Sequence, residues 1–91
     1  MANKSVQEHY KYLHFSATVV VKQSQGMLGG VLVSSATGAS IAVYDGIDTA
    51  GVLILDTMSV TAGQPYPLPC KFYSGLYIVV SGTISATVFY E

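Results

Sequence analysis

The sequence predicts an all-β protein: a single small β-sandwich or jelly-roll-like barrel of about seven short strands, preceded by an extended N-terminal arm. Three observations predict this class. From Phe15 onward the 91-residue chain is rich in β-branched residues, which favour strands. Apolar and polar residues alternate in short runs. Turn-forming residues interrupt these runs about every 8–12 residues, as in small sandwiches and barrels.

The N-terminal part divides into an arm, residues 1–14, and the start of the predicted domain, residues 15–91. The arm holds both histidines and two of the four lysines without a sustained apolar period. Apolar residues then alternate with polar ones over residues 15–22, which predicts a strand with one buried face. Residues 27–34 predict a second strand, in which Gly29-Gly30 indicates a bulge or a close backbone approach.

The middle of the chain predicts three further strands and a proline-rich segment. The strands cover residues 40–45, 52–56 and 57–62, with a turn at 34–38 and a loop at 45–51. Prolines then occupy every second position at Pro65, Pro67 and Pro69, and each removes a backbone donor. This spacing excludes a helix and a central strand, so we expect the segment at the edge of a sheet.

The last two predicted strands, residues 76–81 and 84–90, are expected to form a hairpin around Gly82-Thr83. One face of this hairpin is wholly apolar, whereas the opposite face is mixed and carries Tyr77, Val79 and Phe89. An exposed aromatic patch is a candidate contact surface, so we assign these three residues to partner binding. The alternative is that the arm or the proline-rich segment covers them.

The charge content narrows the possible partners. Only 10% of the residues are charged, the net charge is −1, and arginine is absent, so we expect no nucleic-acid partner. No apolar run approaches the roughly 18 residues of a membrane span, so we expect no membrane partner. Sparse surface charge is unusual for a free monomer and predicts a homo-oligomer or a partner-bound subunit. A monomer coated with Ser and Thr is the alternative.

Few side chains are arranged for chemistry. The bases available to Cys70 are His9 and His14 of the arm, and this set does not predict a catalytic nucleophile. The spacing of the two histidines does not predict a metal site. Asp45 and Asp48 lack the spacing of a calcium loop, although cation binding by them stays open. We therefore expect no enzyme activity, no metal and no cofactor.

Two stretches together carry a family resemblance. They are residues 40–55, Ser-Ile-Ala-Val-Tyr-Asp-Gly followed by Thr-Ala-Gly and Val-Leu-Ile-Leu, and residues 72–91, from Phe-Tyr-Ser-Gly-Leu-Tyr-Ile-Val-Val to the terminal Ala-Thr-Val-Phe-Tyr-Glu. This arrangement resembles small β-sandwich virion proteins of tailed bacteriophages, of the head decoration (cement) and head-fibre-base types. The resemblance covers roughly residues 28–91 and leaves out the arm.

The resemblance implies a structural protein on the capsid exterior, present in many copies, often as trimers, and bridging neighbouring subunits of the major capsid protein. Such a protein is made in the host cytoplasm, and the N-terminus here does not read as a secretory signal. We expect contacts with the major capsid protein from the arm and from the mixed face of the last two strands: His9, Tyr10, Tyr12, His14, Phe15, Tyr77, Val79 and Phe89.

Two other functions stay open at this point. One is a receptor- or glycan-binding module of a phage fibre or tail, with Tyr44, Tyr66 and Tyr73 as candidate sugar contacts in a tyrosine-lined pocket. The other is a small-molecule-binding sandwich, which predicts a monomer with a closed apolar cavity.

Overall fold

A computed structural model of the chain describes residues 11–91. Its secondary structure is all-β and antiparallel, which confirms the predicted fold class. The described residues form six strands: β1 Lys11–Phe15, β2 Val19–Lys22, β3 Gly26–Asp45, β4 Val52–Ser59, β5 Pro65–Phe72 and β6 Leu76–Tyr90. Two of them, β3 and β6, are far longer than the strands expected from the sequence.

The length of β3 and β6 corrects two predictions. Residues 34–38 are not a turn, and Gly82-Thr83 is not a hairpin, because both segments beside Gly82 pair with β3 instead of with each other. Gly38 and Gly82 have φ angles of 55° and 84°, the left-handed conformation that glycine adopts readily. They lie against each other where the register of the β3–β6 ladder shifts between Thr37 and Ser40. The two glycines therefore mark a bend within a two-stranded ribbon.

The bend divides the ribbon into two halves. At about 3.3 Å per residue a straight β3 would measure about 66 Å, whereas the longest dimension of the described part is 41 Å. Strands β1 and β5 flank residues 26–33 of β3 and 84–90 of β6, and we call this unit the proline half. Strands β2 and β4 flank the other ends of the ribbon, residues 40–45 and 76–81, which form the tyrosine half.

Both halves contribute their inner faces to one hydrophobic core. The core contains large residues from β3, β5 and β6: Leu28, Val33, Ile41, Val43, Phe72, Leu76, Ile78 and Val88. The two ends of β3 also lie close together. Gly26, at one end, pairs with Phe72, and Asp45, at the other end, accepts hydrogen bonds from Tyr73 and Ser74, which follow Phe72 in the chain. This arrangement is consistent with a small β-sandwich whose long strands run through both layers.

The N-terminal strands follow the same division. β1 pairs with the end of β6, from Lys11 opposite Tyr90 to Phe15 opposite Ala86, whereas β2 pairs with the beginning of β6. The single strand predicted over residues 15–22 is therefore wrong: the chain passes from one half to the other between Phe15 and Val19. Residues 11–14 of the predicted arm are hydrogen-bonded into the sheet.

Two free edges carry features that oppose further strand pairing. Among the described strands β5 pairs with β3 alone, which confirms the predicted edge position of the prolines. Val33 of β3 donates to the Gln64 carbonyl, and Val31 lies opposite Tyr66. Because backbone groups alternate in direction along a strand, the three prolines face the free edge and leave it without N–H donors at their positions. In β4, two register shifts and the charge of Asp56 interrupt the edge.

Candidate interaction surfaces

The structure separates the predicted contact residues into two outer faces and the core. Tyr12, His14 and Phe89 lie in the proline half, whereas Tyr77 and Val79 lie in the tyrosine half. Because the inner faces share one core, the two outer faces point away from each other. The expected single patch is therefore two patches on opposite sides of the molecule. The predicted contacts of His9 and Tyr10 lie outside the described residues.

Phe15 is a core residue, and this corrects its assignment as a partner contact. Its side chain is 4% exposed and belongs to the same cluster as Leu28 and Val88. The alternation of β1 explains the difference, since Leu13 and Phe15 point inwards while Tyr12 and His14 are exposed. The inward pair anchors the edge strand, and the outward pair is available for contacts.

An apolar row crosses the outer face of the proline half. Tyr12 lies opposite Phe89, Phe89 opposite Gly30, and Gly30 opposite Pro67, so the row spans all four strands. Tyr12 is 74% exposed and Phe89 is 38% exposed. Sequence reasoning identified both residues but not their proximity, which depends on the pairing of strands distant in the chain.

A groove of about 550 Å³ interrupts this row. Gly29 and Gly30 have no side chains, so the space between Phe89 and Pro67 is open above the backbone. The other lining residues are Val31, Leu32, Pro65 and Tyr66.

The sequence predicted either a bulge or a close backbone approach at the glycine pair that lines the groove, and the structure shows both. The ladder with β5 shifts register between Leu28 and Gly30, which is a bulge. A Cβ on Gly30 would lie 2.9 Å from the Tyr66 carbonyl oxygen and 3.1 Å from the Pro67 Cα, which is a close backbone approach. Sequence reasoning missed Leu32 and Pro65 as lining residues; the only signal was the glycine pair together with the alternating prolines.

His14 makes one hydrogen bond on this face. Its Nε2 atom lies 2.7 Å from the Ser85 Oγ atom, and the bond is exposed. A serine activated by histidine also needs a group that orients the imidazole. The described hydrogen bonds of His14 include no such group, so the pair fixes the position of the ring on the sheet.

The outer face of the tyrosine half carries a second apolar row without a gap. Val20 lies opposite Tyr77, Tyr77 opposite Tyr44, and Tyr44 opposite Leu53. The two tyrosine rings lie 6.2 Å apart, centroid to centroid, with an angle of 52° between their planes. This tilted geometry is favourable for aromatic pairs. Val79 lies beside this row, opposite Ala42. The result is a filled apolar surface.

The three candidate sugar-binding tyrosines lie in different places. Tyr44 belongs to the row just described, and the Tyr66 hydroxyl accepts a hydrogen bond from the Thr61 N–H at 2.8 Å. Tyr73 lies in the loop before β6, with the Lys71 Nζ atom 5.3 Å from its ring centroid. These positions do not form one tyrosine-lined pocket within residues 11–91.

The acidic loop at the end of β3 has a structural role in this fold. The Asp45 carboxylate accepts hydrogen bonds from the N–H groups of Tyr73 and Ser74, at 2.9 and 2.7 Å. Burial raises the pKa of Asp45, but the backbone donors of Ser74, Tyr73 and Gly75 outweigh it and hold the pKa below its ordinary value. The Asp48 carboxylate accepts from the Ala50 N–H at 2.9 Å. Within residues 11–91 no cluster of three or more His, Cys, Asp or Glu residues could hold a metal ion.

Cys70 is half-buried in β5. Burial raises the pKa of its thiol, and the negative charge of Asp45 raises it further. The thiol is therefore protonated at neutral pH, which is the opposite of the environment that activates a catalytic cysteine.

No helix in the described part of the chain is long and apolar enough to cross a membrane. No family model matches the chain, and neither a curated protein nor a solved structure matches it.

Proposed function

We propose that the protein is a structural protein of a bacteriophage virion, a capsid decoration (cement) protein that binds the major capsid protein lattice on the head exterior and stabilises the head. Its role is non-enzymatic. The observation that supports bridging is the presence of an apolar row on each of two opposite outer faces, largely exposed at Tyr12 on one face and partly exposed on the other. A molecule with two such faces binds two neighbours at once.

Of the four edge strands in the described part of the chain, β4 and β5 favour contacts through the faces. The free edge of β5 lacks backbone donors at its three prolines, and β4 is interrupted by register shifts. These features oppose pairing with strands of another chain. The faces, in contrast, expose Tyr12 and Phe89 on one side and Leu53 on the other.

The expected strength of each contact fits a lattice protein. Fully burying one large apolar side chain is worth about 1.5–3 kcal/mol, and in the tyrosine half Val20, Tyr44 and Tyr77 are already partly buried. One face alone binds weakly after the loss of translational and rotational freedom is subtracted. Two faces engaged together, and many copies on one shell, increase the overall affinity through effective concentration. Self-association, with a trimer favoured, adds to this effect.

The proposal is tested with purified heads that lack this protein. Adding the recombinant chain should give saturable co-sedimentation with the heads and raise the temperature at which they release DNA. Tyr77→Lys places a charge on the tyrosine half and should weaken co-sedimentation, whereas Gln25→Lys adds the same charge at an exposed position between β2 and β3 and should leave it unchanged. No co-sedimentation of the wild-type chain would reject the proposal.

A further inference from the structure

The groove of the proline half lies on the same outer face as Tyr12, the second residue of β1. Tyr12 of β1 and the groove residue Phe89 are direct neighbours, and ten residues precede Lys11 in the chain. We propose that this groove binds residues 1–10 of a second copy of the chain, so that neighbouring copies exchange their N-terminal segments.

The shape of the groove fits an extended segment recognised through its side chains. Its floor is the backbone of Gly29 and Gly30, and its walls are apolar groups of Leu32, Pro67 and Phe89. A segment that added itself to β5 as a further strand would need backbone donors from that edge. The prolines do not provide them, so the occupant lies over the face of the sheet.

The direction of β1 favours a second copy over the same chain. β1 is antiparallel to β6, and its first residue, Lys11, lies opposite Tyr90, the last residue of β6. From Lys11, β1 runs towards the level of the groove. Gly30 of the groove lies in the same cross-strand row as Tyr12, and Leu32 lies in the same row as His14. A segment bound in the groove of its own chain would have to reverse direction before Lys11, whereas a segment bound in the groove of a second copy would not. Ten extended residues reach up to about 33 Å.

The composition of the segment matches the chemistry of the groove. Val6 and Tyr10 are apolar and have the same parity as Tyr12, and the side-chain charges of Lys4 and Glu8 cancel. The groove lining has no charged side chain. Apolar anchors can therefore be buried without leaving an unpaired charge in the groove.

This exchange gives the two outer faces different partners. The groove face holds copies of the protein together, which leaves the tyrosine half free for the capsid. The assignment of the tyrosine half rests on the proposed function, whereas the docking of the segment does not.

The experiment uses the full chain with a photoreactive benzoyl group introduced at one position of the segment, Val6→p-benzoylphenylalanine. Isotopically light and heavy chains are mixed, irradiated and analysed by mass spectrometry. We expect cross-links between light and heavy chains that join the segment to residues 29–32 or 65–67. Cross-links within one chain, cross-links to other parts of the protein, or none at all would overturn the proposal.

Two matched variants identify the groove as the receptor. Leu32→Lys puts a charge into the groove, and Leu53→Lys puts the same charge on the other outer face, where the leucine is similarly exposed at 46% against 41%. We expect Leu32→Lys to reduce the mixed cross-link about tenfold or more, and Leu53→Lys to retain it, with circular dichroism confirming that both fold. Equal loss in both variants, or full retention in Leu32→Lys, would contradict the inference. The cross-link needs no capsid, so its failure leaves the proposed function standing, and a chain that cross-links normally without binding heads rejects only the proposed function.

Discussion

The proline half and the tyrosine half are built from the same two long strands, yet they present different outer surfaces. Each half has four strands and one apolar row across its outer face. In the proline half, β3 contributes Gly30 to the row, whereas in the tyrosine half it contributes Tyr44. The glycine leaves a groove and the tyrosine fills the surface. The outer faces built on the shared strands therefore differ in relief: one has a groove and the other is filled.

The largest effect is expected where the two halves are joined. A Cβ on Gly82 would collide with the Gly38 carbonyl oxygen, and Gly82 has positive φ. Gly82→Val should therefore destabilise both halves together, by about 3 kcal/mol or more. Gly38→Ala is the control, because its Cβ meets open space and only the strain of its φ angle remains, about 1–2 kcal/mol. Urea unfolding measures the free energy of unfolding of both variants. Equal losses in the two variants would show that the close contact of Gly82 with the Gly38 carbonyl does not determine the bend.

The next effect separates the N-terminal segment from β1. Removing residues 1–14 deletes four of the five residues of β1, including the core-packed Leu13, and should lower the free energy of unfolding by about 2–3 kcal/mol. Removing residues 1–10 leaves β1 intact and should change it by less than about 0.5 kcal/mol. Thermal unfolding compares the two truncations. If both are equally destabilised, residues 1–10 contribute to the stability of the isolated fold.

A smaller effect concerns Asp45, whose carboxylate binds the loop between β5 and β6, where the chain passes from the proline half to the tyrosine half. Asp45→Asn weakens the bonds to the Tyr73 and Ser74 N–H groups and should cost about 1 kcal/mol at neutral pH. Because the folded-state pKa of Asp45 is lowered, its contribution is present above the unfolded pKa and is lost as the pH falls through the folded pKa. The difference in unfolding free energy between wild type and variant should therefore shrink in acid. A difference that stays constant down to pH values below the folded pKa would contradict this.

The smallest effect tests the filled surface of the tyrosine half. A double-mutant cycle with Tyr44→Phe and Tyr77→Phe leaves the ring pair, whereas Tyr44→Ala and Tyr77→Ala remove it. The alanine cycle should give a coupling energy of about 0.5–1.5 kcal/mol, and the phenylalanine cycle a value near zero. Chemical denaturation of the single and double variants supplies both. If the two alanine substitutions changed the free energy of unfolding additively, the rings would not interact.

The sequence allowed local features to be predicted and left long-range ones open. The proline spacing and Gly29-Gly30 act within a few residues of chain, so the edge strand and the bulge were predictable. Gly82 was misread because a left-handed glycine serves a hairpin turn and a bend equally well; only the pairing of both flanking segments with β3 distinguishes them. The row from Tyr12 to Phe89 depends on the register between the first and last strands, which no local pattern encodes.

The central claim is that this chain is a component of the phage head lattice, and the copy number in the particle tests it most directly. Quantitative mass spectrometry of purified virions from the source lysate gives the ratio of this chain to the major capsid protein. We predict a ratio near one to one, as expected for a protein bound throughout the lattice. A few copies per particle would instead indicate a fibre, vertex or tail, and absence from the particle would contradict the account.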